Sequence, residues 1–271
     1  MIKLSNKNVF ITGGTSGIGL ACAKQFANLG ANTMIFSRNQ QHFENAKKVI
    51  KGFKQNDSIR LAHMPLDVSD NEMTINVMEE AVKIIGPPDI LINCAGRALP
   101  NHFEDITYTQ FEDTIKINLF GPRNTIAALL PHMKKKGGHI INVSSIAGFT
   151  GVFGYTDYAA SKFGIIGFSE SLRSELKKYR IRISVLCPPD TDTPGLKAEN
   201  ATKPEETRAV AKNGGLLTPD YVAEFMIKGI GKNKFIIVPG FMGKVTYMAK
   251  RLVPGVVEAI MDRAIKKVQN K

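Results

Sequence analysis

Tyr158 and Lys162 stand four residues apart in the run Tyr158-Ala-Ala-Ser-Lys162. On a helix that spacing is one turn, which puts a phenol and an ammonium on one face. A cation beside a phenol favours the phenolate and lowers the tyrosine pKa from its reference near ~10, toward proton exchange near neutral pH. The pair therefore reads as a general acid and its activator. Ser145 follows His139-Ile-Ile-Asn-Val143, an apolar run that reads as a buried strand. Its hydroxyl then sits at a strand's carboxyl end, where open α/β sheets bind their ligands. Tyrosine and lysine one turn apart also occur on solvated helix faces, so the elements around them must decide.

Asn8-Val-Phe-Ile-Thr12 reads as a first strand. It runs into Gly13-Gly-Thr-Ser-Gly17-Ile-Gly19 and then the periodic apolar residues Leu20, Ala23, Phe26 and Ala27 of a helix that stops at Gly30. Strand, glycine loop and helix in that order can cradle a pyrophosphate: glycine allows the tight turn and close backbone approach, and the helix N-terminus offers free N–H groups. The spacing is G-x-x-x-G-x-G rather than the commoner G-x-G-x-x-G. A second strand, Asn32-Thr-Met-Ile-Phe36, ends in Ser37-Arg38. A carboxylate there would accept from a ribose 2′-hydroxyl, whereas arginine suits a 2′-phosphate, which points to NADP(H).

Further along, the pattern predicts a helix over Gln40 to Phe53, a strand from Ile59 to Pro65 followed by Asp67-Val68, and a helix over Asn71 to Ile85 closed by Pro87-Pro88. Asp89-Ile-Leu-Ile-Asn93 is a short buried strand leading to Cys94-Ala-Gly96, whose small residues let a ligand lie against the backbone. A long helical stretch from Thr109 to Lys136 is interrupted near Asn118 and Gly121-Pro122. An asparagine amid apolar residues needs a fixed partner, so structure and function are both open to Asn118. Ile181 to Leu186 is another strand. The prolines from Cys187 to Gly195 exclude helix and sheet there, and 188–217 is long enough to be a lid. A helix over Pro219 to Gly231 and a strand over Lys234 to Val238 follow. The alternation predicts one α/β domain over 1–240: a Rossmann-like, doubly wound parallel sheet of about seven strands with right-handed crossovers.

At 271 residues the chain can bury a sizeable core, and 43% hydrophobic with 22% charged content argues against wholesale disorder. The net charge of +12 favours anionic partners. Nucleic acid is excluded as the expected partner, because there is no zinc-finger spacing, RNP-like stretch or aromatic-studded basic patch. Cys22, Cys94 and Cys187 form no CxxC pair, so buried reduced thiols are expected, with no metal site. Met1 to Lys7 is too short and polar for a signal peptide, and no apolar run reaches the ~18 residues of a bilayer span. The expected location is cytoplasmic, with peripheral attachment to the cytoplasmic membrane face as an added expectation.

These motifs, in this order, resemble the short-chain dehydrogenase/reductase family over about Lys7 to Val238: TGGTSGIG at 12–19, Asp67-Val68, NCAG at 93–96, Asn118, Ser145 and YAASK at 158–162. The resemblance implies that Tyr158 is the acid/base, that Lys162 lowers its pKa and holds the nicotinamide ribose, that Ser145 hydrogen-bonds the substrate oxygen and that Asn118 positions a water on the proton relay. It implies cofactor contacts from Gly13, Thr15, Ser16, Gly17, Ile18, Gly19, Ser37, Arg38, Asp67, Val68, Asn93, Ala95, Gly96, Tyr158, Lys162, Pro188, Thr191 and Thr193. A homodimer or homotetramer built on the helices after Thr109 and Thr156 is implied as well. Two departures are Cys94, where the family usually has asparagine, and Pro188-Pro189, where Pro-Gly is usual.

The lid run PPDTDTPG with Ala198-Glu-Asn200 and Thr202 to Thr207 is similar to that of 3-ketosphinganine reductases. That resemblance implies a lipid-like ketone substrate; another carbonyl such as a β-ketoacyl thioester or a steroid is the alternative, and a nucleotide-sensing pseudoenzyme the non-enzymatic one. Leu99, Phe149, Val152, Phe153, Leu196, Leu216 and Leu217 are candidates for an apolar channel, and Asp190 or Asp192 for contact with a substrate ammonium. Beyond 240, the residues Val245, Met248, Leu252, Val253, Val256, Val257, Ile260, Ala264, Ile265 and Val268 recur at helical spacing, with a break at Pro254-Gly255. Lys244, Lys250, Arg251, Arg263, Lys266, Lys267 and Lys271 lie between them. Such a basic amphipathic extension over 241–271 can lie in an anionic interface or bury its stripe against protein.

Overall fold

The computed structural model describes residues 4–53, 59–212 and 214–270. Five-residue β1 (Asn8–Thr12) is buried throughout, as an apolar strand in the centre of a parallel sheet must be. Its side chains alternate: Val9 and Ile11 join one half of the core, and Phe10 joins the other. The first half packs under α1 (Gly17–Asn28) and α9 (Pro219–Gly231), and the second under α3 (Asn71–Ile85) and α5 (Gly121–Lys136). Helices therefore cover both faces.

The remaining strands are β2 (Asn32–Ser37), β3 (Leu61–Pro65), β4 (Ile90–Asn93), β5 (Gly138–Val143), β6 (Ile181–Leu186) and β7 (Ile236–Ile237). They form one parallel sheet of seven strands in the order β3-β2-β1-β4-β5-β6-β7. The chain winds outward from β1 through β2 to β3 and then returns to β4 on β1's other side, with Ile11 beside Ile35 and Thr12 beside Asn93. The crevice between the carboxyl ends of β1 and β4 is the switch point at which such sheets bind ligands. Thr12 fastens it, its hydroxyl accepting from the Cys94 and Ala95 amides at 3.1 and 3.2 Å.

Several predicted elements are shorter than the sequence pattern implies. The second helix, α2 (Gln40–Lys51), stops before Gly52; the third strand begins at Leu61, and the seventh retains only Ile236 and Ile237, its pairing with β6. The long helical stretch divides into α4 (Tyr108–Ile115), a π turn over Lys116–Phe120, and α5. Pro122 has no N–H to give the Asn118 carbonyl four residues back, so the turn widens there. After α6 (Thr156–Leu176), the expected lid folds into α7 (Pro194–Thr202) and α8 (Glu205–Ala211), the first capped by the Thr193 hydroxyl on the Leu196 amide at 3.1 Å. The last helices are α10 (Phe241–Leu252) and α11 (Pro254–Gln269), and α11 lies against α8. No helix among the described residues is long and apolar enough to cross a membrane. Met1 to Lys3 and Lys271 lie outside the described residues.

Candidate active site

One cavity of about 1140 Å³ runs along the carboxyl edge of the sheet, from Arg38 past Tyr158 to α10 and α11. Its floor at one end is the glycine loop: Gly13, Thr15, Ser16, Gly17, Ile18 and Gly19 all line it. Gly17 takes φ +50°, and a Cβ there would lie 3.0 Å from the Thr193 methyl group. A side chain at Gly17 would fill the slot between loop and lid, so glycine keeps open a space of the kind a pyrophosphate needs beside a helix N-terminus. Ser16 does not cap α1 with its own hydroxyl, which leaves the first-turn N–H groups aimed at that slot.

Ser37, Arg38, Asp67 and Val68 line the same end. Ser37 is held by His63 at 2.9 Å. Asp67 accepts from the Ser69 amide and hydroxyl through one oxygen, at 3.0 and 2.6 Å. Arg38 is exposed and makes no ion pair among the described residues, so its charge is available to an anion. In the middle, Ala95, Gly96, Ser145, Tyr158, Lys162, Pro188, Thr191 and Thr193 converge from the ends of β4, β5, α6 and β6. These residues fit a nicotinamide dinucleotide laid across the switch point.

A family profile described as short chain dehydrogenase matches residues 7–204. The chain belongs to the short-chain dehydrogenase family. It is 37% identical over 265 residues to the 3-ketodihydrosphingosine reductase of Bos taurus, covering 96% of this chain and 79% of that one. It is 37% identical over 236 residues to the 3-dehydrosphinganine reductase of Danio rerio, covering 86% of this chain and 71% of that one. Among solved structures, the apo form of LigD from Sphingobium sp. strain SYK-6 is 27% identical with a TM-score of 0.73, covering 98% of this chain and 97% of that one.

In this short-chain dehydrogenase, Lys162 is 4% exposed, and its ammonium donates to the Val143 carbonyl at 2.9 Å. Burial pulls its pKa down to about 8. Tyr158 departs from expectation. Its pKa is raised, chiefly by burial and next by the negative charge of Glu199, and the hydrogen bond with Ser145 only partly offsets this. Spacing along a helix reports which groups are neighbours but carries no desolvation, and here burial with the nearby carboxylates decides the direction. The raised value keeps the proton on the phenol at neutral pH, so Tyr158 can donate it.

Two expected site residues stand behind the wall instead of on it. Asn93 is buried, donating to the Asn142 side chain at 2.9 Å and accepting from the Thr125 hydroxyl at 2.7 Å, so it ties β4 to β5 and α5. Asn118, also buried, donates to the Arg97 carbonyl and the Ser161 hydroxyl at 2.9 and 3.0 Å, and accepts from the Arg97 amide at 2.9 Å. It remains close to the centre: a Cβ at Gly96 would be 3.2 Å from Asn118 Oδ1 and 3.6 Å from Lys162 Nζ.

The far end of the cavity differs more from the sequence reading. Leu99, Val152 and Leu196 line it as expected, but Phe149 packs edge-on against Tyr247, Phe153 does the same against His102, Leu216 is 62% exposed, and Leu217 also lies outside the lining. Their place is taken by Met242, Val245, Ala249, Val257, Met261 and Ala264 of α10 and α11. The helical stripe beyond 240 thus turns one side to the cavity, and Leu252, Val253 and Val256 remain exposed. Asp190 lines the cavity with Lys203 3.8 Å away, whereas Asp192 is an exposed residue beside Lys197 at 3.7 Å and is not part of the wall. The sequence reading missed Glu199. Its carboxylate accepts from the Tyr155 hydroxyl at 2.8 Å on the cavity wall.

Proposed function

We propose that this protein reduces the ketone of a long-chain amino alcohol, 3-ketosphinganine, to sphinganine with NADPH. The observation that carries the reading is the continuity of one cavity, from the glycine loop past Ser145 and Tyr158 to the apolar sides of α10 and α11. A ketone carrying a long alkyl tail needs both ends. The names of the bovine and zebrafish relatives support the same substrate.

Bound NADPH supplies the hydride that reduces the carbonyl carbon. Ser145 donates a hydrogen bond to the substrate oxygen, and Tyr158 transfers its phenolic proton as that oxygen gains charge. Lys162, anchored on Val143, holds the ribose hydroxyls and favours the resulting phenolate. Arg38 binds the 2′-phosphate. Asn118, fixed by its three hydrogen bonds, keeps the π turn and the Arg97 backbone in place beside Lys162.

Two further parts of this reading concern surroundings. Exposed Tyr108 on α4 and Phe163 on α6, two helices that pack together, support a homo-oligomer built on that face; light scattering behind a sizing column reads the mass. Exposed Phe241, Leu252 and Val256, with Lys266 and Lys267 on α11, support peripheral docking of the cavity's outer end on an anionic membrane. Co-sedimentation with phosphatidylserine vesicles should be strong at low salt and weaker at high salt. The substrate itself is tested by following NADPH oxidation with 3-ketosphinganine, acetoacetyl thioester and steroid ketones. Preference for either of the last two displaces the reading.

A further inference from the structure

A cluster on the cavity wall is composed of Tyr155, Asp190, Glu199 and Lys203, the tyrosine and lysine buried and the two carboxylates partly exposed. Lys203 is 4% exposed on its side chain and faces Asp190, so that pair carries little net charge. Glu199 has a different setting. Its hydrogen-bond partner is the neutral Tyr155 hydroxyl, and the Tyr155 ring lies 5.4 Å from the Tyr158 ring, centroid to centroid. Glu199 thus makes no ion pair among the described residues and feels the Lys203 and Lys162 ammonium groups only at longer range, in a partly closed pocket within a chain of net charge +12. Withdrawing a carboxylate from water without a counter-ion is unfavourable, and a cationic ligand would relieve it.

From this geometry we infer that Glu199 is the group that selects the amino-ketone, by accepting a charge-assisted hydrogen bond from the substrate ammonium. The inference rests on the reading above. In that substrate the ammonium sits on the carbon next to the ketone, and Glu199 sits one aromatic ring from the phenol that protonates the ketone oxygen. Tyr155 fixes the carboxylate from behind. Asp190, already matched by Lys203, sets the far edge of the same anionic corner.

The test compares kcat/KM for 3-ketosphinganine with that for the ketone of equal chain length lacking the amine, in wild type, Glu199→Gln and Glu199→Asp. Wild type should favour the amino-ketone, the ratio should fall roughly 10- to 100-fold in Glu199→Gln, and Glu199→Asp should restore part of it. An unchanged ratio in Glu199→Gln overturns the assignment while leaving the proposed reaction intact. So does a wild type indifferent to the amine, a result that needs no variant. Wild type that reduces neither ketone removes the reaction and the assignment together.

Discussion

The Lys162 ammonium lies 5.4 Å from the centroid of the Tyr158 ring, one helical turn further along α6. Both groups are withdrawn from water, and burial drives their pKa values in opposite directions: the ammonium falls to about 8 and the phenol moves up from its ordinary value. Each is therefore held in its neutral form more firmly than it would be on a surface.

The proton is the first thing to test. Tyr158→Phe retains the ring and its packing against Tyr155 but removes the acid. Turnover should drop ~100-fold or more, as for loss of a general acid, while NADPH still binds by fluorescence titration. Turnover close to wild type would show that another group supplies the proton.

Lys162 should leave a signature in stability. Its folded pKa of about 8 is below the ordinary 10.5, so below pH 8 both folded and unfolded states carry the proton and the full penalty of burying the charge is present. As pH rises above 8 the folded state releases its proton first and the penalty is relieved. The unfolding free energy of wild type minus that of Lys162→Met should thus rise between pH 8 and 10, by up to ~1.4 kcal/mol per unit. Urea melts at a series of pH values measure it, and a flat difference would mean that the ammonium is not held against a desolvation penalty.

Arg38 is the proposed determinant of cofactor choice. Its guanidinium makes no ion pair among the described residues and stands at the end of β2 with Ser37, so Arg38→Ala should reduce the preference for NADPH over NADH by roughly 10- to 100-fold, the worth of one charge-assisted contact. The ratio of the two kcat/KM values reads this directly. An unaltered ratio would assign the 2′-phosphate to other donors.

Much of this was legible in sequence, and the reason is local. Loop glycines, strand runs and the Tyr158–Lys162 spacing depend on residues a few positions apart, and they point to the parallel sheet, the crevice and most of its lining. What was hidden depends on distant segments meeting. Glu199 and Lys203 lie in the expected lid with no spacing that marks them; in the fold Lys203 turns to Asp190 and Glu199 to Tyr155. Asn93 borders the small residues that approach a ligand, yet Thr125 and Asn142 claim its side chain. No periodicity could reveal that α11 would lie on α8 and finish the cavity.

The apolar end should measure its substrate. Each methylene it buries adds roughly 0.8 kcal/mol, so kcat/KM should climb steeply along a ketosphinganine series until the channel is full. Ala249→Phe, which puts a ring into the wall lined by Val245 and Met261, should move the plateau to shorter chains. A flat series, or a plateau unmoved by the substitution, would mean that the tail lies elsewhere.

The order in which the chain supplies its cavity has a consequence for how specificity can change. Glycine loop, serine, tyrosine, lysine and glutamate are all in place by Lys203, whereas the helices that close the far end occupy the last stretch, from Phe241 to Gln269. The reacting groups thus precede the two helices that complete the ruler, to which Leu99, Val152 and Leu196 also contribute. Exchanging α10 and α11 should therefore change the length of molecule admitted more than it changes the hydride and proton steps.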